Sequence, residues 1–117
     1  MNNKKMKIAI PLANGALCMH FGHCEQFALI DVDMEAKQIM GRKDVTPPPH
    51  EPGVLPAWLG GQGVGMILAG GMGQRAQNLF TAQNIEVRVG LPSETPEILI
   101  ELLFAGKLQS GANVCDH

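Results

Sequence analysis

The sequence contains no tyrosine, one tryptophan and four phenylalanines among 117 residues. It also lacks Gly-x-Ser-x-Gly, His-Glu-x-x-His and any evident pair of cleft acids, so it offers little to enzymology. Charge is sparse in both signs: nine Lys and Arg stand against eleven Asp and Glu, a net of -2, with no block of like charge. That argues against nucleic acid as a partner, because a phosphate backbone is bound by a basic stripe. No apolar run approaches the roughly 18–20 residues of a membrane span, and Met1 to Lys7 leads into a strand-like segment without the apolar core of a secretory leader. A cytoplasmic protein with no membrane association is therefore expected. Cysteine is scarce and odd in number, at three. In a reducing compartment this excludes a disulfide scaffold and leaves reactive thiols, metal ligands or plain core residues.

What is present is organised as one domain over residues 1–117, long enough to bury a core. Met6 to Leu12 reads as a central strand, apolar after Lys7 and ended by Pro11. Asn14-Gly15 is a turn signal. Gln26 to Val32 is a second strand and Gln38 to Val45 a third, more polar and suited to a sheet edge. Thr46 to Gly53 holds four prolines in eight residues, which forbids regular helix or central strand. Val54 to Gln62 reads as a short helix with Leu55, Trp58 and Leu59 on one face. Gly65 to Ala69 is a buried strand, Gln74 to Gln83 an amphipathic helix, and Ile85 to Val89 a further strand. Ser93 or Thr95 can cap a last helix that starts near Pro96, with Leu99, Leu102, Leu103 and Gly106 inward. An antiparallel meander followed by alternating strands and helices makes an α/β fold with one mixed sheet flanked by helices. Residues 107–117 form a polar tail; extended, they span about 35 Å, enough to return to any part of the domain.

The soft ligands are not scattered. Cys18, His20, His23 and Cys24 fall within seven residues, His50 sits in the proline-rich loop, and Cys115 and His117 close the chain. Cys18 with His20, and Cys115 with His117, are two apart, so in extended backbone each pair projects from one face. Such donors suit zinc, copper(I) or an iron-sulfur centre and not calcium or magnesium. Each residue also has a plainer reading. The cysteines could fill core space, the histidines could bond loop carbonyls, and the tail could stay disordered.

Ala69-Gly70-Gly71-Met72-Gly73 follows a buried strand and opens a helix. It is neither a Walker loop nor a dinucleotide fingerprint. Its plain role is a tight turn; its functional role is to offer amides at Gly70, Gly71, Met72 and Gly73, with Arg75, to an anionic cluster or oxyanion.

His20-Phe21-Gly22-His23-Cys24 with Phe27 and Asp31, Pro49-His50-Glu51-Pro52-Gly53, the Ala69 to Gly73 turn with Arg75-Ala76, and Gly111 to His117 together resemble the dinitrogenase iron-molybdenum cofactor biosynthesis family. That family includes NifX- and NafY-type carriers and the carboxy-terminal domain of NifB. The resemblance implies a ribonuclease-H-like α/β fold with a five-stranded mixed sheet. It also implies non-catalytic binding of a metal-sulfur cluster containing iron, molybdenum or copper, passed between donor and acceptor proteins. The histidine of the family's His-Phe-Gly carries over to His20. The expected function is a cluster carrier or scaffold. The alternatives are an interaction or regulatory module with a structural zinc or no metal, and a thiol-dependent redox enzyme.

Overall fold

The computed structural model describes residues 5–19, 24–48 and 53–107. The elements in chain order are β1 (Lys5–Ala13), β2 (Ala16–Leu17), β3 (Gln26–Asp33), β4 (Gln38–Val45), α1 (Val54–Gly61), β5 (Val64–Leu68), α2 (Gln74–Ala82), β6 (Glu86–Arg88) and α3 (Pro96–Phe104). The strands form one mixed sheet in the order β4-β3-β1-β5-β6. β3 runs antiparallel to both β1 and β4, whereas β5 is parallel to β1 and β6 to β5. This is the mixed α/β arrangement that the sequence pattern predicts, a meander joined to strand-helix units, and it agrees with the ribonuclease-H-like sheet that the resemblance implies.

The sixth strand, β2, is a two-residue return that pairs Leu17 with Leu12. Asn14 and Gly15 take φ of 55° and 81° between β1 and β2, the left-handed pair that closes a tight hairpin. Two residues of Ala-Leu carry no strand pattern of their own, so only the pairing reveals β2.

Pro11 does not end β1, contrary to expectation; the strand continues to Ala13, with Pro11 opposite Phe27. The carbonyl of Pro11 accepts the Cys18 amide at 2.8 Å. Carbonyl and nitrogen of one strand residue point the same way, so the missing donor faces away from β3 and breaks no bond of that ladder. The β5 pairing has already finished at Ala9.

The two sheet faces bury separate apolar layers. Ile8, Ile10, Leu12, Leu17, Ala28, Ile30, Met66 and Leu68 pack with Leu99 and Ile100 of α3. Ala9, Phe27, Leu29 and Ile67 pack with Leu55 and Leu59 of α1 and Phe80 of α2. Strand alternation sorts even and odd residues of β1 between the layers, and burying each large side chain contributes about 1.5–3 kcal/mol. β4 is mostly exposed, and its Arg42-Lys43-Asp44 run blunts the open edge against pairing with other chains.

In α3 the inward stripe is Pro96, Leu99 and Ile100. Leu102 and Leu103 are half-buried, and Gly106 is exposed. The stripe thus follows the i, i+3, i+4 phase set by Pro96. Gly106 ends the helix: at φ 71° its amide bonds the Leu103 carbonyl, while the Lys107 amide bonds that of Leu102 at 2.9 Å. That pair of bonds is the Schellman motif. Thr95 is the cap, accepting from the Ile98 amide. Ser93 instead donates to the Leu17 carbonyl at 3.0 Å.

Candidate metal centre

Strand direction decides which loops can meet. β1, β4, β5 and β6 all point the same way, so their carboxyl ends and the start of β3 share one edge of the sheet. Cys18 lies just beyond the β1-β2 hairpin, Cys24 just before β3, and Gly70 just after β5. The proline-rich loop leaves β4 from this edge as well. Ligands of open α/β sheets bind outside the carboxyl ends of strands where the strand order reverses; here that place is the border between β1, which turns back to β3, and β5.

The segment carrying the thiols is tied down at both ends. The Cys18 amide bonds Pro11 O and the Glu25 amide bonds Leu12 O, both at 2.8 Å, so the segment starts and finishes on consecutive residues of β1. On its far side the Leu17 amide donates to Glu94 O at 3.0 Å. With the bond from Ser93 this pins the hairpin to the entrance of α3, a role that sequence inspection had not given Ser93.

Cys18 and Cys24 both carry thiols. Cys18 is buried, and Cys24 is half-buried against the apolar layer under α1 and α2. Burial, then the charge of Cys18, push the Cys24 pKa up from 9.0 to about 11. The two sulfurs therefore sense one another, and Cys24 holds its proton at neutral pH.

The Gly70 turn packs directly against this segment. A side chain at Gly70 would come within 2.9 Å of both the Cα and the Sδ of Met19. The turn itself is clamped to β6: Ala69 donates to Arg88 O at 2.8 Å, and Gly90 donates to Gly70 O at 2.8 Å. Gly70 and Gly71 are buried and Gly73 is half-buried. The Met72 side chain belongs to the core with Leu55 and Phe80, and its carbonyl accepts from Gln77 Nε2 at 2.8 Å. What Met72 can offer at the edge is thus backbone. Gly73 is the N-cap of α2, whose first turn has no acidic residue, and Arg75 lies exposed in that turn. The helix dipole and Arg75 both make this corner favourable to negative charge.

The structure thus brings Cys18, Cys24, Gly70, Gly71, Met72, Gly73 and Arg75 to one edge. His20, His23, His50, Cys115 and His117 lie outside the described residues. Among the described residues no group of three or more His, Cys, Asp and Glu is placed to hold a metal ion. Met19 is the contact that sequence inspection missed; an apolar residue between two ligand types gave no signal before Gly70 was seen beneath it.

A cavity of about 560 Å³ opens at the other edge, between Lys5, Lys7, Asp31, Met40 and the glycines Gly63 and Gly65. Among the described residues no thiol or imidazole lines it, and Lys7 Nζ donates to the Gln62 carbonyl at the end of α1. Its donors do not suit a soft metal. Two thiols beside a positive helix end do suit a thiophilic metal or an anionic sulfide cluster, so the carboxyl edge is the candidate centre.

Fold and edge together define a small mixed α/β domain that presents thiols and glycine amides where strands end. The chain belongs to the dinitrogenase iron-molybdenum cofactor family, whose pattern it matches over residues 4–106. An uncharacterized protein of Methanocaldococcus jannaschii is 31% identical over 110 residues, 91% of this chain and 92% of its own. The crystal structure of PH0822 superposes with a TM-score of 0.81 at 27% identity, covering 90% of this chain and 94% of that one. The apo orange protein of Desulfovibrio gigas shares the fold, with a TM-score of 0.70 at 23% identity over 92% of this chain and 94% of its own. Among the described residues no helix is long and apolar enough to cross a membrane.

Proposed function

We propose that this protein is a non-catalytic carrier or scaffold for a metal or metal-sulfur cluster of the iron-molybdenum cofactor type. The observation that carries this reading is the convergence of two coupled thiols, Cys18 and Cys24, with the Gly70 to Gly73 turn at the carboxyl ends of the adjacent strands β1 and β5. Cys18 and Cys24 supply thiolate donors. His20, His23 and His50, and Cys115 and His117 from the tail, complete the donor set. The amides of Gly70, Gly71, Met72 and Gly73, with Arg75, face the negative charge of sulfides. Iron, molybdenum or copper sulfide is the proposed cargo, received from and delivered to partner proteins in the cytoplasm.

The state of Cys24 suits a metal ligand better than a nucleophile at that position. A nucleophilic or redox-active cysteine has a lowered pKa, whereas that of Cys24 is raised. A protonated thiol releases its proton when a thiophilic metal binds, so loading is coupled to proton release and removal of cargo returns a quiet thiol.

Anaerobic purification followed by metal analysis and absorption spectroscopy tests the proposal. Coloured protein that loses metal in Cys18→Ala, His20→Ala or Cys24→Ala supports it. Unchanged metal content in all three variants overturns it, and colourless protein holding only zinc would make it a structural-zinc module instead.

A further inference from the structure

Glycine is demanded at position 70 by space and not by backbone conformation. Gly15, Gly53, Gly63, Gly90 and Gly106 have positive φ; Gly70 does not, so its backbone is open to any residue. What excludes a side chain is Met19, whose Cα and Sδ would each stand 2.9 Å, and Cε 3.2 Å, from a Cβ at 70. One of these atoms is backbone, next in the chain to Cys18. The thioether can rotate away, but the Cα moves only if the whole segment moves.

We propose that Gly70 is the positioning residue of the candidate centre. Its bare backbone is the seat on which Met19 rests, and that contact fixes the Cys18 segment against the turn leading into α2. The reading rests on the carrier proposal for its ligand and adds to it a single contact that sets the spacing between thiol and amides. The Cys18 end of the segment is tied to β1 through the Cys18 amide, and the Gly70 carbonyl is held by the Gly90 amide, just past β6. The Met19-Gly70 contact therefore joins the segment directly to the turn, beyond the point where β1 and β5 pair. Gly61, by contrast, ends α1 away from the turn, has no positive φ, and has nothing within 4 Å of a Cβ built there. It supplies a control outside the candidate centre.

The test uses the full chain and two readouts. In the metal-free reduced protein, site-resolved alkylation with iodoacetamide reports whether Cys18 is still covered. Gly70→Ala is expected to speed alkylation of Cys18 by about tenfold or more, as a forced shift of packed backbone should. Cys24 reactivity and the melting temperature should stay near those of wild type, and Gly61→Ala should leave Cys18 unchanged. With Co(II) alone as probe, the thiolate-to-metal absorption band of Gly70→Ala is expected to shift or weaken, while that of Gly61→Ala is retained. Wild-type reactivity of Cys18 in Gly70→Ala overturns the proposal. So does a uniform rise at both cysteines with a lowered melting temperature, which marks general loosening. If Gly70→Ala does not fold, Met19→Ala decides: removing the thioether from its seat should likewise expose Cys18, and an unchanged rate overturns the idea. A wild-type chain that gives no Co(II) band counts against the carrier reading alone, since the alkylation result judges the contact separately.

Discussion

Cys18 and Cys24 are coupled across the segment that joins them: after burial, a charge on Cys18 is what most opposes ionisation of Cys24. This has a direct consequence in pH. The folded state holds the Cys24 proton more tightly than the unfolded chain, with a pKa of about 11 against 9.0. The stabilisation is therefore complete below pH 9 and lost as pH rises through about 11. Urea midpoints measured from pH 8 to 11.5 should fall over that window, and Cys24→Ala should flatten the fall. Alkylation of Cys24 in the reduced protein should likewise stay slow at pH 8 and accelerate toward pH 11; fast reaction at pH 7 would contradict the burial.

Metal uptake should release protons. Because Cys24 is protonated at neutral pH, a thiophilic ion binding there must displace that proton. In weakly buffered, oxygen-free solution, Co(II) titration should acidify the medium, and apparent affinity should rise with pH. Cys24→Ala should reduce the proton yield. An identical yield in wild type and variant would place the metal elsewhere.

Arg42 joins the edge strand to α3 through Asp44 and Glu97. The Glu97 carboxyl lies below its ordinary pKa, chiefly through its own backbone amide at the helix start and then through Arg42. Its contribution is present above the unfolded carboxylate pKa and lost as pH falls. Because the groups are exposed, Glu97→Gln should cost less than about 1 kcal/mol, and less again in high salt. Chemical denaturation at two ionic strengths checks this.

Phe80 is fully buried between α2 and the sheet. Phe80→Ala should cost about 3–5 kcal/mol, by lost burial and by the cavity it leaves. Thr95→Ala, which removes the α3 cap, should cost about 0.5–1 kcal/mol. Thermal melts of both variants should preserve that order; a Thr95 effect as large as that of Phe80 would mean the α3 entrance does more than cap a helix.

The elements were largely legible in the sequence because they are written locally. The apolar runs of β1 and β3, the polar edge strand β4 and the glycine-led turn before α2 each follow from side-chain character and turn chemistry. So did the grouping of Cys18, His20, His23 and Cys24, and the resemblance carried by the motifs around them. Pro11 misled because a missing donor ends a strand only when it faces an occupied neighbour, and that depends on which strand lies alongside. Ser93 misled because its hydroxyl reached Leu17, 76 residues away, rather than its own helix.

Composition and spacing by themselves determined an α/β domain with soft ligands gathered in short segments. Only the tertiary structure decided that strands β1 and β5 lie side by side and parallel, and so end at the same edge. That adjacency presses Met19 onto Gly70, which follows β5, beside a buried Cys18 whose charge the half-buried Cys24 senses. Neither follows from local pattern, because burial and close approach are properties of elements brought together from distant parts of the chain.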